Sequence, residues 1–262
     1  MKRSSGARIG ATLAVSALSL ALITGCSDSG SDDAKGSDAK ESAAASSVPA
    51  AKALTSAELE KLLLAKGDAE GYEVDSGDDT LPKSKSDVKT DKAQCDPLAW
   101  ATAALAPGET DANASNTVTA KPSAASKDPS KLTDADIENA FDVSITFVGL
   151  SSYDGDGAEK ALKAVSDGVT ACSGGYGLKA EGESSKVTKV TTAKSSGAGD
   201  ESVAFAEDVD MDGEGTATFL TEVVRKGNTV ATFYSVNLAA LDKGGKTEIP
   251  AEVVTAQVAK LK

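Results

Sequence analysis

Histidine is missing from this 262-residue chain, and aromatic residues make up only 4% of it. Without histidine the chain has no Ser-His-Asp triad, no Cys-His dyad and no histidine ligand for a metal ion. Three cysteines are also too few for a four-thiolate zinc or iron–sulfur site. These absences exclude the commonest catalytic centres, and the sequence predicts neither catalytic residues nor a cofactor.

Basic residues are outnumbered by acidic ones. The chain has 27 Lys and Arg against 40 Asp and Glu, which gives a formal net charge of −13 at pH 7. Recognition of nucleic acid requires clustered Lys and Arg to contact the phosphates. The charge balance therefore predicts that nucleic acid is not a partner.

The start of the chain has the pattern of an export signal. Lys2, Arg3 and Arg8 form a basic segment, and residues 9–23 are uncharged and mostly apolar. This apolar run is shorter than the roughly 20 residues of a comfortable membrane span, but it fits the central part of a signal peptide. We therefore expect a signal peptide over residues 1–25.

The segment Leu22–Cys26, with the sequence LITGC, resembles the lipobox of bacterial lipoproteins. The resemblance implies that Cys26 is diacylated and becomes the first residue of the mature chain. Two acyl chains anchor a protein stably in a membrane, where one chain alone binds marginally. The expected location is the outer face of the cytoplasmic membrane, facing the cell wall; a plain secretory signal is the alternative.

The segment after the lipobox is predicted to be a spacer. Residues 26–53 consist of the lipidated cysteine and a flexible polar tether, rich in Ser, Asp, Ala, Gly and Lys and without apolar periodicity. Such a segment cannot bury enough surface to offset its chain entropy. Residues 54–262 are long enough for one substantial core, and we expect a single extracytoplasmic domain there.

The spacing of apolar residues predicts both helices and strands in this domain. Thr55-Ser56-Ala57-Glu58 fits a capping box, and Asp96-Pro97 fits the start of a second helix. Lys226-Gly227-Asn228 fits a tight turn between two antiparallel strands. The predicted helices are 56–66, 96–106, 158–172 and one that starts at Pro250; the predicted strands are 141–150, 186–192, 202–206, 216–225 and 229–238, with short extended pieces at 72–74 and 117–119.

Short connections between the strands favour an antiparallel sheet over a parallel one. We therefore predict an α+β fold, with one mostly antiparallel sheet of about five strands packed with three to four helices. Neither a GxGxxG motif nor a P-loop follows a predicted strand, so a nucleotide site is not indicated.

Two cysteines remain if Cys26 is acylated. Cys95 stands just before the predicted second helix, and Cys172 ends the predicted third helix. An exported location is oxidising enough for a disulfide. The sequence therefore predicts a bridge between Cys95 and Cys172, with two separate buried thiols as the alternative.

Three aspartates at alternate positions imitate the start of a calcium-binding loop. Asp208, Asp210 and Asp212 could converge on a hard cation, with Gly213 at the turn. The motif then fails, because its twelfth position is Phe219 and not the required glutamate. A solvated hairpin turn explains the same residues, since Asp and Gly favour turns.

The order of these features resembles that of poorly characterised actinobacterial lipoproteins. A lipobox, a polar tether, Cys95-Asp96-Pro97-Leu98 opening a helix, an Ala-rich helix ending at Cys172 and a C-terminal run of strands occur together. The folded part is more distantly similar to the extracellular sensor domains of actinobacterial Ser/Thr kinases. That resemblance implies a sheet with helices around a ligand-binding cleft.

Three functional hypotheses follow. The first is a non-catalytic binding or sensing domain for a small molecule or a cell-envelope component, which a concave apolar pocket would support. The second is a protein-interaction module of an envelope complex, with a flat apolar patch on the sheet face that carries Val230, Tyr234 and Val236. The third is a hydrolase, which requires a buried pair of carboxyl groups. The sequence does not identify ligand-binding residues.

Overall fold

The computed structural model describes residues 52–75, 81–121, 133, 143–211, 215–237 and 247–262. The chain divides into two units, Met1–Ser46 and Ser47–Lys262, and all described residues belong to the second. The predicted signal peptide, Cys26 and nearly all of the predicted tether thus lie outside the described residues. None of the described helices has the length and apolar character needed to cross a membrane.

The described chain forms one antiparallel sheet of nine strands, in the spatial order β1-β3-β4-β9-β8-β7-β6-β5-β2. The strands are β1 (Tyr72–Asp75), β2 (Val88–Thr90), β3 (Asn113–Ala120), β4 (Ser144–Ser152), β5 (Tyr176–Ala180), β6 (Glu183–Ala193), β7 (Glu201–Asp210), β8 (Thr216–Lys226) and β9 (Thr229–Asn237). The helices of the described residues are α1 (Ser56–Glu60), α2 (Asp96–Thr102), α3 (Gly157–Ala171) and α4 (Ala251–Ala259). Turns of 3₁₀ helix at Lys85–Asp87 and Ala93–Cys95 flank β2.

The prediction of about five strands with three to four helices is wrong. The fold is mainly one large antiparallel sheet of nine strands, and its helices are short, with only α3 reaching 15 residues. Two of the added strands, β2 and β5, are short and lie at one side of the sheet. Short strands near an edge carry little hydrophobic alternation, so they become strands through their pairing partners and not through local pattern.

Two core layers lie on opposite faces of the sheet. On the front face, α2 and α3 cover a layer that includes Phe205 and Val223. On the back face, α1 and α4 cover a layer that includes Val224 and Phe233. Successive residues of a strand point to opposite faces, so the neighbours Val223 and Val224 contribute to different layers.

Helix α1 ends earlier than predicted because buried side chains bind the turn that follows it. The backbone N–H of Leu64 donates to Oε1 of Gln257 (3.0 Å), and Nε2 of Gln257 donates to the carbonyl oxygen of Leu62 (2.8 Å). Nδ2 of Asn116 donates to the carbonyl oxygen of Leu64 (2.7 Å). Side chains from α4 and β3 thus satisfy backbone groups that a longer helix would pair internally.

Cys95 and Cys172 form the predicted disulfide. Their Cα atoms are 5.9 Å apart, and both side chains are fully buried in the front layer. The bridge joins the 3₁₀ turn before α2 to the end of α3. It therefore links the two helices that cover the front face.

The described chain begins at one end of the sheet, which we call the entry end. Ala53 donates its backbone N–H to Oδ1 of Asp154 (2.7 Å), just beyond the end of β4. Nδ2 of Asn228, in the turn between β8 and β9, donates to the carbonyl oxygen of Lys52 (2.8 Å). This tight turn is the one predicted from Lys226-Gly227-Asn228, and Lys226 pairs directly with Thr229. The opposite end, where β4 begins and β9 finishes, is the distal end.

Candidate binding surface

Part of the back face carries none of the described helices and is exposed. Helices α1 and α4 cover the back of β3, β4, β8 and β9, whereas the back of β2, β5 and β6 is open to solvent. Four exposed lysines share this open area, and we call it the lysine face. Its lysines are Lys89 on β2, Lys179 on β5, and Lys186 and Lys189 on β6.

Strand alternation explains why the lysines point to the back. Lys89 and Lys179 follow Val88 and Leu178, which pack into the front layer. In the same way Lys186 and Lys189 each precede a valine of the front layer, Val187 and Val190 respectively. Since neighbouring residues face opposite ways, each lysine is directed to the open back face.

A β-bulge brings the two lysines of β6 to the same face. Residues 186 and 189 are three apart and would point to opposite faces of a regular strand. The pairing between β6 and β7 shifts between Val187 and Lys189, so β6 contains one extra residue there. The bulge keeps both flanking valines in the core and both lysines outside.

Like charges meet on the lysine face. Lys89 is paired directly with Lys179 across β2 and β5, and Lys179 is paired with Ser184, two residues before Lys186. Like charges directly opposite each other in a sheet destabilise it. None of the four lysines forms an ion pair within the described residues. The Lys89–Lys179 pairing is thus locally unfavourable, although Asp87 and Glu181 line the same depression.

Acidic residues share the lysine face with the lysines. Asp208 stands opposite Lys189, and its Oδ1 accepts a hydrogen bond from the Thr218 hydroxyl (2.7 Å). Oδ1 of Asp91 accepts the backbone N–H of Gly177 (2.9 Å). A shallow depression of about 310 Å³ surrounds the outer lysine pair, and it is lined by Ser86, Asp87, Lys89, Lys179, Glu181 and Gly182.

A groove that contains three threonines and two carboxylates continues from the lysine face toward the centre of the sheet. Its volume is about 480 Å³, and one wall is the segment that leads into α4. The lining residues are Thr191, Ala193, Ala206, Asp208, Thr218, Leu220, Thr247 and Glu248. Ammonium groups beside hydroxyl groups can bind a ligand that combines anionic groups with alcohols.

A buried carboxyl group lies on the front face. Glu207 of β7 is 3% exposed. Its Oε1 accepts a hydrogen bond from the Tyr176 hydroxyl (2.5 Å), and its Oε2 accepts a hydrogen bond from the Thr102 hydroxyl (3.0 Å). The Thr102 hydroxyl also lies 3.2 Å from the Thr221 hydroxyl. Burial raises the pKa of Glu207, and the two donated hydrogen bonds oppose this only in part. The pKa of Tyr176 is raised as well, by burial first and then by the charge of Glu207.

The two buried glutamates of the described chain cannot act as a catalytic pair. Glu222 of β8 is also buried, and it accepts hydrogen bonds from the backbone N–H (2.8 Å) and hydroxyl (2.6 Å) of Ser196. It points to the back face beside Val224, whereas Glu207 points to the front face beside Phe205. The sheet separates the two carboxyl groups, which is not the arrangement that the hydrolase hypothesis requires.

Val230, Tyr234 and Val236 share the front face, as the alternation predicts. Val230 is fully buried in the front layer, and the ring of Tyr234 stacks on Phe147 with centroids 5.8 Å apart. Tyr234 also contacts Phe219 at 5.8 Å. Within the described residues Met211 is the only exposed large hydrophobic residue, so these three residues do not form the flat exposed patch that the interaction-module hypothesis requires.

The candidate calcium residues do not come together in a described loop. Asp208 and Asp210 belong to β7, and Asp212 lies outside the described residues. No group of three or more Cys, Asp or Glu residues in the described chain is placed to hold a metal ion.

Trp100, a half-buried residue of α2, lies under the ammonium group of Lys85, whose Nζ is 4.7 Å from the ring centroid.

The lysine face was not predicted from the sequence. Its local signal is present, because each lysine adjoins an apolar residue in an alternating segment. The convergence of the lysines depends on the pairing of β2 with β5 and of β5 with β6. Two of these strands were not predicted, so the lysines could not be placed beside each other.

Comparison with solved structures gives a low structural similarity to an extracellular domain. No family model and no curated protein matches the chain. A solved structure, the extracellular domain of PknH from Mycobacterium tuberculosis, is similar with a TM-score of 0.43 and 11% sequence identity, over 80% of this chain and 95% of that one.

The buried Glu207 predicts a pH-dependent stability. The pKa of Glu207 is higher in the folded protein than its ordinary value of 4.5. The stability that its protonated form contributes is therefore fully present below pH 4.5 and is lost as the pH rises through the folded-state pKa. Glu207→Gln keeps an acceptor for Tyr176 but cannot ionise. We expect this variant to be more stable than the wild type at pH 7, by on the order of 1 kcal/mol, and the difference to disappear near pH 4.

Urea unfolding at several pH values measures this difference. Glu222→Gln is the matched control, because it removes the other buried carboxylate and weakens two hydrogen bonds from Ser196. The control should lose stability at pH 7 where Glu207→Gln gains it. A Glu207→Gln variant that is less stable than the wild type at pH 7 would show that the hydroxyl groups stabilise an ionised Glu207.

Proposed function

We propose that this chain is a lipoprotein anchored through Cys26 on the outer face of the cytoplasmic membrane, and that its nine-stranded domain is a binding domain for a cell-envelope component. The observation that carries the proposal is the exposed sheet face over β2, β5 and β6, where charged side chains and hydroxyl groups lie together on one rigid surface. The described chain starts beside the β8–β9 turn, and the lysines occupy the distal part of β2, β5 and β6.

The strand register gives the separation between these two regions. Glu201 pairs with Arg225 at the entry end, and Asp208 pairs with Lys189 in the distal half of the sheet. Lys186 and Lys179 lie further along in the same direction. At about 3.3 Å per residue the lysine face is roughly 25–35 Å from the entry end.

A binding role accounts for the features of the site better than a catalytic one. The lysine face combines exposed lysines and carboxylates with a groove that contains threonine hydroxyl groups, and its described residues include no buried acid and base in contact with each other. The described buried carboxyl groups lie on opposite faces of the sheet. Cations and hydroxyl groups on a rigid sheet can hold an anionic ligand without reacting with it.

Lipid labelling tests the anchor. We expect the full chain, expressed in an actinobacterial host fed a palmitate analogue, to be labelled and to fractionate with the membrane. The Cys26→Ala variant should be unlabelled, because it lacks the thiol that accepts the diacylglycerol. Equal labelling of the two proteins would contradict an anchor at Cys26.

Co-sedimentation tests the binding role. The full chain carrying Cys26→Ala, which has no lipid, should pellet with envelope fragments of the host and remain soluble without them. Retention in the supernatant at every salt concentration would contradict binding to an insoluble envelope component. A small molecule that co-purifies with the protein would instead support the sensor hypothesis.

A further inference from the structure

We propose that a groove between α3 and the start of β7 binds an extended peptide segment of a partner protein, which adds to the sheet as a further strand. The groove has a volume of about 720 Å³. Leu162, Lys163 and Ser166 of α3 form one wall, and Glu201–Val203 of β7 with Arg225 of β8 form the other. It lies on the front side at the entry end, apart from the lysine face, so the inference goes beyond the proposed function and does not depend on it.

The wall formed by β7 is a strand edge inside the sheet. The pairing of β6 with β7 ends at Ala193 and Ala204, whereas the pairing of β7 with β8 continues to Glu201 and Arg225. No residue of the described chain pairs with residues 201–203 on the side away from β8. Successive residues of an antiparallel strand direct their N–H and C=O groups to alternate sides. At least one of these three residues therefore directs both backbone groups into the groove.

The connection from β6 to β7 explains why this edge is open. Residues 194–200 run across the back face, where the backbone N–H and hydroxyl of Ser196 donate to Oε1 of Glu222 (2.8 and 2.6 Å) and Ala198 packs against the back layer. The backbone N–H of Asp200 then donates to the carbonyl oxygen of Arg225 (2.8 Å). A tight hairpin would have extended β6 alongside the start of β7, and this path does not.

The chemistry of the groove favours a peptide in extended conformation. An open strand edge presents a donor and an acceptor at strand spacing, and another peptide backbone matches both. A peptide strand beside β7 directs alternate side chains to the front, toward α3. There they meet Leu162, which is buried, and Val203, which is partly buried against the front layer. The groove therefore suits apolar or β-branched side chains at every second position of the peptide.

The charges of the groove limit the peptide further. Both lining cations are already paired: Nη2 of Arg225 lies 3.1 Å from Oε2 of Glu201, and Nζ of Lys163 lies 2.6 Å from Oδ2 of Asp167. Glu159, which also lines the groove, has no ion pair within the described residues. An acidic side chain in the groove would be repelled by this carboxylate without gaining a free cation. The groove therefore favours a peptide without acidic residues.

Selection from a phage-displayed library of random seven-residue peptides tests the inference. The parent protein is the full chain with Cys26→Ala, and the enriched peptides should contain few acidic residues and many β-branched ones. The test variant adds Ser166→Trp, which places a large side chain in the groove. The matched control adds Ala171→Trp, since Ala171 is exposed on α3 and does not line the groove. A synthetic copy of an enriched peptide should bind the test variant at least about tenfold more weakly than the parent, and the control within about twofold of it.

Backbone N-methylation of the same peptide tests strand addition on the unaltered parent protein. N–H groups of an added strand face β7 only at every second residue. Methylation of those residues should weaken binding about tenfold or more, because each loses a hydrogen bond, and methylation of the residues between them should change it by less than about threefold.

Three results would overturn the inference. The first is a library that yields no peptide binding to the parent protein. The second is equal affinity of the enriched peptide for the Ser166→Trp and Ala171→Trp variants, which would place the peptide outside the groove. The third is an N-methylation profile that does not alternate along the peptide, which would exclude an added strand. Both tryptophan variants should unfold at the parent's urea concentration by circular dichroism, because both positions are exposed.

Discussion

Replacement of both Cys95 and Cys172 by alanine should lower the free energy of unfolding by about 4.5 kcal/mol. The disulfide joins residues 77 positions apart. In the chain-entropy model, a loop of that length restricts the unfolded chain enough to give this value at 25 °C. A single domain is typically stable by only about 5–15 kcal/mol, so the loss is a large fraction of the total.

Urea unfolding of the full chain measures the effect. The parent for this comparison carries Cys26→Ala, so the disulfide is the only difference in cysteine content. Reduction of the parent by dithiothreitol should reproduce the loss, because it opens the same loop without removing a side chain. A double variant that is less stable than the oxidised parent by under about 1 kcal/mol would show that the unfolded chain is already compact between these residues.

Truncation of one phenylalanine on either face should destabilise the whole sheet. Phe205 in the front layer and Phe233 in the back layer are both fully buried. Removal of a buried phenylalanine ring costs about 3–5 kcal/mol, since the apolar contacts are lost and a cavity remains. Phe205→Ala and Phe233→Ala should therefore have similar effects, although the two side chains do not share a layer.

The single tryptophan reports whether the layers unfold together. Trp100 belongs to α2, which covers the front face. Both layers are built on the same strands, so Phe233→Ala should shift the fluorescence transition of Trp100 as far as the circular dichroism transition of the sheet. A fluorescence transition that stays at the wild-type urea concentration in Phe233→Ala would show that the front layer unfolds independently.

Local pattern was sufficient where an element carries its own signal. The helix α3 has an apolar stripe, and the Lys226–Asn228 turn identifies the β8–β9 hairpin; both occur as predicted. It failed where a strand depends on its neighbours. Val88–Thr90 is only three residues long, and its pairing with β5 decides its structure. Non-local pairing of this kind is not encoded in the alternation of one segment.

The candidate site shows the same division. The cysteine count and the predicted helix ends were enough to indicate the Cys95–Cys172 bridge. The lysine face required the bulge at residues 187–189 and the register of three strands, neither of which has a sequence signal of its own. Glu207 was one of 40 acidic residues, and only the packing of Tyr176 and Thr102 around it distinguishes it from the others.

The outermost strands of the sheet are also its shortest. β1 has four residues and β2 has three, whereas β6 and β8 have 11 each. An open sheet ends in unpaired backbone groups, which are templates for the strands of another molecule. Short edges offer few such groups, and Lys89 places a charge on one of them. Many copies of the domain at high concentration should therefore resist polymerising edge to edge, and Lys89 also protects the sheet against amyloid-like growth.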